Sequence, residues 1–155
     1  MPLNQRKARI NPDRTLFGNK RTITSASTVS GVAQNSSDKL ALSGEAIAVG
    51  DFVGIGSDGR VYKATAKYSD SIYAGYIAIT DSTAANEDIQ CRRYGEAEIQ
   101  TTLTVNKPIY LTTGTPNYTQ TPPTKTAEID LLQYLGYASA TNVIVINIKL
   151  PKRYV

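Results

Sequence analysis

From Lys39 to the C-terminal end the chain never sustains a 3.6-residue apolar period. Short runs of β-branched and aromatic residues are instead cut every few positions by Gly, Asp, Asn or Pro, the punctuation of strands joined by turns. The stretch "NVIVINIKL" shows the pattern most plainly. Ile144, Ile146, Ile148 and Leu150 alternate with Val143, Val145, Asn147 and Lys149. Successive strand side chains point to opposite faces, so the isoleucine face is expected in a core and the other beside a wetter neighbour. The fold class is all-β.

The punctuation also repeats. "SGEAIAVGDFVGIGSDGRVYKA" followed by "YAGYIAI" is echoed by "YGEAEIQTTLTVNKPIYLTTGTPNYTQT" followed by "YLGYASA". Each copy has Gly-Glu-Ala (44–46 and 95–97), then an apolar strand (51–55 and 107–111). A Gly-containing turn follows, then a short strand bearing Tyr62 or Tyr118, and each copy closes on Tyr-x-Gly-Tyr (73–76 and 134–137). Two similar halves, related by a pseudo-twofold and forming a small β-barrel or sandwich, are expected over residues 38–155.

Gly54, Gly56 and Gly59 satisfy the G-x-G-x-x-G spacing of dinucleotide-binding loops. Such a loop needs a helix N-terminus after it, which supplies the positive field for a pyrophosphate. Gly59 is followed by "RVYKA", an alternating strand, and the second copy reads "TTGTPNY" at the same place. The glycines are expected in a hairpin turn; no nucleotide and no other cofactor is expected.

The chain holds one cysteine, Cys91, and no histidine. An internal disulfide is impossible and the usual zinc sets lack their ligands. Arg92 and Arg93 could activate Cys91, but a half-buried strand residue is the plainer reading. No apolar run is long enough to span a membrane, and the opening "MPLNQRKARINPDRT" lacks the apolar core of a secretory signal. The expectation is a soluble protein made in a cytoplasm.

The charge is lopsided. Through Arg21 six basic residues (Arg6, Lys7, Arg9, Arg14, Lys20, Arg21) face one acid, Asp13, a net of +5; the remainder nets −1. The Ser/Thr-rich "TITSASTVSGVAQNSSDK" follows. Residues 1–37 have too few large apolar side chains to fold alone and are expected to be an extended basic arm and linker. Leu16 and Phe17 lie among the charges as anchors, which favours an arm that docks on a larger partner over a frayed tail. Nucleic acid is a less favoured partner, because the folded part has no aromatic-basic platform.

Among catalytic candidates, Glu96 and Glu98 share one strand face, whereas a glycosidase pair usually faces across a cleft from different elements. Glu45 and Glu96 fall at equivalent places in the two copies, and a structural hydrogen bond or cross-strand charge pair is the preferred reading. The chain is not expected to be an enzyme. Asp81, Asn86, Glu87 and Asp88 could gather round a cation but lack regular ligand spacing. They read as a solvated turn, and no metal is expected. Asn35-Ser36-Ser37 and Asn117-Tyr118-Thr119 match a glycan acceptor pattern that means little without a secretory route. "PIYLTTGTPNYTQTPPTKT" reads as exposed loops, with Tyr110 and Tyr118 as surface contacts. Lys149, Lys152, Arg153 and Tyr154 make the C-terminal end a second tether.

"GEAIAVGDFVGIGSDGRVYKA", the later "AGYIAI" and the closing "YLGYASATNVIVINI" resemble a small β module of tailed-bacteriophage structural proteins. The resemblance covers roughly residues 43–150, rests mainly on turn grammar, and leaves the first 40 residues uncovered. Proteins with that module include capsid decoration (cement) proteins and head or tail fibres, often trimeric, and the resemblance carries no catalytic residues over. It implies a virion structural protein. A long fibre would need repeats or a shaft, which the chain lacks. The expectation is therefore a decoration protein on the outer capsid surface, homotrimeric and bound to the major capsid protein through its arm; the alternative is a head- or tail-fibre component that binds a host receptor or glycan.

Overall fold

A computed structural model of the chain describes residues 37–70 and 72–155. The first sheet holds β1 (Asp38–Leu42), β2 (Phe52–Ile55), β3 (Val61–Lys63), β4 (Tyr76–Ala78) and β5 (Asp88–Arg92). The second holds β6 (Gly95–Glu98), β7 (Pro108–Leu111), β8 (Tyr118–Thr119), β10 (Tyr134–Ala140) and β11 (Val143–Ile146). From within the second half, β9 (Leu131–Leu132) pairs with β12 (Lys152–Arg153), which follows β11, in a small ribbon. The paired strands are antiparallel throughout.

The strand orders are β1-β5-β4-β2-β3 and β6-β11-β10-β7-β8. Taken in chain order within each half, these are the same arrangement, so the sequence echo corresponds to a repeated topology. The two sheets pack face to face as a sandwich. Phe52 and Ile77 of the first and Ile109, Leu111, Leu135 and Ile144 of the second are all fully buried in the core between them. Tyr118 stacks edge-on against Phe52, ring centroids 5.8 Å apart, joining the halves through an aromatic contact.

Closure of the barrel kind is local to the first sheet. Just past β1, Ser43 bridges Val61 of β3, and the Gly44 amide donates to the Val61 carbonyl at 2.8 Å. The sheet thereby curls around a second cluster of Ile47, Val53, Val61, Ala78, Ile89 and Cys91. This explains why Phe52 and Val53, neighbours on β2 with opposite orientations, are both wholly buried. In the second sheet, β11 alternates as its sequence demands. Ile144 and Ile146 are buried, while Val143 and Val145 are half-buried on the outward face.

Two expectations need correction. Leu150 does not share the core with Ile144 and Ile146: β11 ends at Ile146, and Leu150 is 89% exposed. Chain pairing continues only irregularly, through Asn147 and Lys149 amides to Leu135 and Tyr134, before Pro151. Glu45 and Glu96 are not equivalent either. Glu45 lies in the connection after β1, where its carboxylate accepts the Lys63 amide at 2.7 Å, whereas Glu96 lies within β6, the counterpart of β1.

Two buried amides stitch the halves. Asn117 accepts from the Phe52 amide (2.9 Å) and donates to the carbonyls of Phe52 (2.6 Å) and Ala64 (2.9 Å). Gln133 accepts from the Ala74 amide (3.0 Å) and donates to the carbonyls of Ala74 and Lys149. Each side chain replaces a missing strand neighbour, because buried backbone groups must find partners.

Candidate functional site

The arm residues Arg6, Lys7, Arg9, Arg14, Leu16, Phe17, Lys20 and Arg21 lie outside the described residues, but the root of the arm does not. Asp38 opens β1 and stands opposite Arg92, the last residue of β5. The register puts opposite charges face to face. The Arg92 guanidinium donates to both carboxylate oxygens, Nε to Oδ1 at 2.7 Å and Nη2 to Oδ2 at 2.9 Å. The two side chains are only 3% and 4% exposed. Gln90 adds a third donor to Asp38 at 3.1 Å, and Arg92 Nη1 donates to the Glu96 carbonyl at 2.6 Å. A buried pair holds when its geometry is bidentate and its other donors are occupied; both conditions are met. Ser37 extends the clamp, its hydroxyl donating to the Tyr94 carbonyl and accepting from the Tyr94 amide, both at 3.0 Å. Ser37 and Asp38, the first described residues, are therefore tied to β5, β6 and the link between the two halves.

The two tyrosines expected at the surface part company. Tyr118 is 6% exposed in the inter-sheet core, and burial pushes its phenol above the usual range. That corrects the expectation, since its ring fills the space over Phe52. Tyr110 is half-buried on the outward side of β7, edge-on to Tyr134 at 5.9 Å. The threonine-rich loops are exposed at residues 113–116 and 124–128. Asn117, which heads one of the two glycan acceptor patterns, is buried at 3% exposure and already bonded.

The C-terminal end is folded back rather than extended. Lys152 and Arg153 pair with Leu132 and Leu131, and Arg153 stacks over Tyr68 at 4.4 Å. The Tyr154 amide donates to Asp130, and its hydroxyl donates to the Pro123 carbonyl. Lys149 remains exposed.

The glycine-rich stretch forms the β2–β3 hairpin. The Gly56 amide donates to Arg60, the Gly59 amide to Gly56, and Gly59 has φ +80°, a conformation that suits glycine. A strand follows it, and the phosphate-binding geometry of a helix N-terminus is not formed there. Cys91 is buried, and burial pushes its thiol up to about 12. A thiol so placed is protonated at neutral pH and is a packing residue.

Glu96 and Glu98 are exposed on the outward face of β6, flanking the buried Ala97. They share a face, as their spacing demands, but it is an open sheet face. Ser139 donates to Glu96 at 3.4 Å. The Glu87 carboxylate accepts the amides of Thr83 and Ala84 and the Thr83 hydroxyl; those bonds hold it below the usual carboxylate range. Glu87 thus fastens its own turn. Among the described residues, no three His, Cys, Asp or Glu side chains, Asp81 and Asp88 included, gather in a metal-holding group. Nor is any described helix long and apolar enough to cross a membrane.

Sequence reasoning missed the clamp and the two amide stitches. The clamp had a signal: "DIQCRR" places Gln90 and Arg92 on the face opposite Ile89 and Cys91, so a charge was due to need a partner. Asn117 and Gln133 had none, because their partners are 53 to 65 residues away for Asn117 and up to 59 for Gln133. No family model, curated protein or solved structure matches this chain.

Proposed function

We propose that the protein is a virion structural component, a decoration protein that sits on the outer surface of a tailed-phage capsid and binds the major capsid protein through its basic N-terminal arm. The observation that carries this reading is the contrast between the arm and its root. All the excess positive charge lies in residues 1–21, and the chain enters the body through a buried, bidentate Asp38–Arg92 pair. Such an attachment lets a docked arm hold a rigid body in one place. The sequence likeness to the phage β module supports the same role. Assembly as a homotrimer belongs to the proposal, and the outward face of the second sheet, with Val143, Val145 and Tyr137, offers apolar area for it.

The test adds the purified protein to undecorated heads of the phage that encodes it and images them by electron microscopy. The proposal expects new density outside the shell at regular capsomer positions; bare heads at saturating protein would overturn it. The alternative, a head- or tail-fibre component that binds a receptor or glycan, is favoured by the exposed threonine-rich loops. A glycan array separates the two: a decoration protein gives no signal, and a fibre component gives a saturable one.

A further inference from the structure

A cleft of about 320 Å³ opens where the two halves meet, between Tyr73–Gly75, Arg93–Tyr94 and the Ile148–Pro151 segment, with Gln133 at its floor. Its walls are largely apolar. Leu150 is 89% and Tyr94 60% exposed, and both large side chains border the opening. Two cations flank it, Arg93 and Lys149, both on exposed residues. The Arg93 guanidinium is held against two rings, 5.4 Å from the centroid of Tyr94 and 5.9 Å from that of Tyr76. Cation–π contacts of this kind orient a guanidinium without consuming its N–H donors. Neither Arg93 nor Lys149 has a carboxylate partner among the described residues. This contrasts with Arg92 beside it, which is fully engaged.

Gly75 adds a second kind of evidence. A Cβ placed on it would meet nothing within 4 Å, so the wall has open space beside its backbone at this point. The Gly75 amide is engaged by Val53 and both backbone groups of Ala74 by Gln133, so recognition falls to side chains, and apolar walls flanked by two spaced cations suit an extended chain bearing carboxylates better than a compact ion. The protein's own arm has the wrong sign, with a net +5 through Arg21.

We infer that this cleft binds an extended acidic segment of a partner protein, its carboxylates meeting Arg93 and Lys149 and a neighbouring apolar side chain lying against Ile148 and Leu150. The inference does not rest on the arm. Deleting residues 1–21 should leave it intact.

The experiment titrates the isotope-labelled full chain with a synthetic hexapeptide alternating glutamate and leucine, following backbone amide shifts. Controls are the lysine-leucine hexapeptide and inorganic phosphate. Saturable shifts confined to residues 73–75, 93–94 and 148–151 are expected for the acidic peptide alone. The double variant Arg93→Gln with Lys149→Gln should weaken binding at least about tenfold, the scale of one or two lost charge-assisted hydrogen bonds. Gly75→Leu, which fills the cleft from its wall, should do the same while leaving the remaining amide spectrum unchanged. Absence of saturation, shifts centred elsewhere, or a well-folded double variant that binds like the parent would overturn the inference. So would equal saturation by inorganic phosphate, which would make this a simple anion site.

Discussion

The two halves share one strand order but treat their outer faces differently. In the first, the chain after β1 folds across to β3 and fills the far side of the sheet with Ile47, Val53, Val61, Ile89 and Cys91. In the second, no such cluster covers the far side among the described residues, and it presents Glu96, Glu98, Tyr137, Val143 and Val145 outward. The same topology therefore yields one sheet whose inner strands β2, β4 and β5 are buried on both faces and one buried on a single face. What differs is the connection between the first two strands of each half, and such a connection can decide which repeat is a scaffold and which keeps a surface for others.

The contrast can be broken most forcefully where the halves meet. Phe52→Ala removes the ring that packs against Tyr118 and should cost about 3–5 kcal/mol, read as a lower urea midpoint at unchanged slope. Asn117→Leu should come next. It leaves the Phe52 amide and the Ala64 carbonyl without their partner, while the Phe52 carbonyl keeps the Ala64 amide, and at roughly 1 kcal/mol or more for each orphaned group the loss should be about 2 kcal/mol. A loss under about 1 kcal/mol would show that the stitch is incidental.

A paired substitution sharpens the difference between the sheets themselves. Val53→Ala, in the wrapped first sheet, should cost about 2 kcal/mol, while Val145→Ala, on the half-buried face of the second, should cost under about 1 kcal/mol. Equal losses would mean that the outward face of the second sheet is as tightly packed as the inside of the first.

The effect that is smallest at neutral pH, where it vanishes, is a pH slope. The folded Cys91 thiol sits at about 12 against an ordinary value of 9.0, so the folded state holds its proton where the unfolded state releases it. Stability from this group is fully present below pH 9 and falls as pH rises from about 9 to 12. Comparing Cys91→Ala with the parent isolates that slope from the titration of tyrosines and lysines. Identical pH dependence would contradict the burial of the thiol.

These contrasts also mark what the sequence could tell. Strand existence, the hairpin at Gly56–Gly59 and the alternation of Ile144 and Ile146 follow from local rules, because turn conformation and strand periodicity are properties of adjacent residues. Tyr118 was misplaced because a tyrosine on a short strand beside prolines resembles a surface residue until Phe52 is known to lie opposite. Leu150 continued an alternation whose strand had already ended. Gly-Glu-Ala was an imperfect guide for the same reason: a triplet matched in sequence, yet one copy fell in a connection and the other in a strand. The Asp38–Arg92 clamp depends on β1 pairing with β5, a register set by distant residues.

The functional account depends on a division of labour between a body that folds by itself and an arm that does the binding. Deleting residues 1–21 and measuring co-sedimentation with undecorated heads, beside the thermal unfolding of the isolated protein, tests it most directly. The account predicts an unchanged unfolding midpoint and loss of sedimentation with the heads. Retained head binding by the shortened chain, or a body that no longer folds, would contradict it.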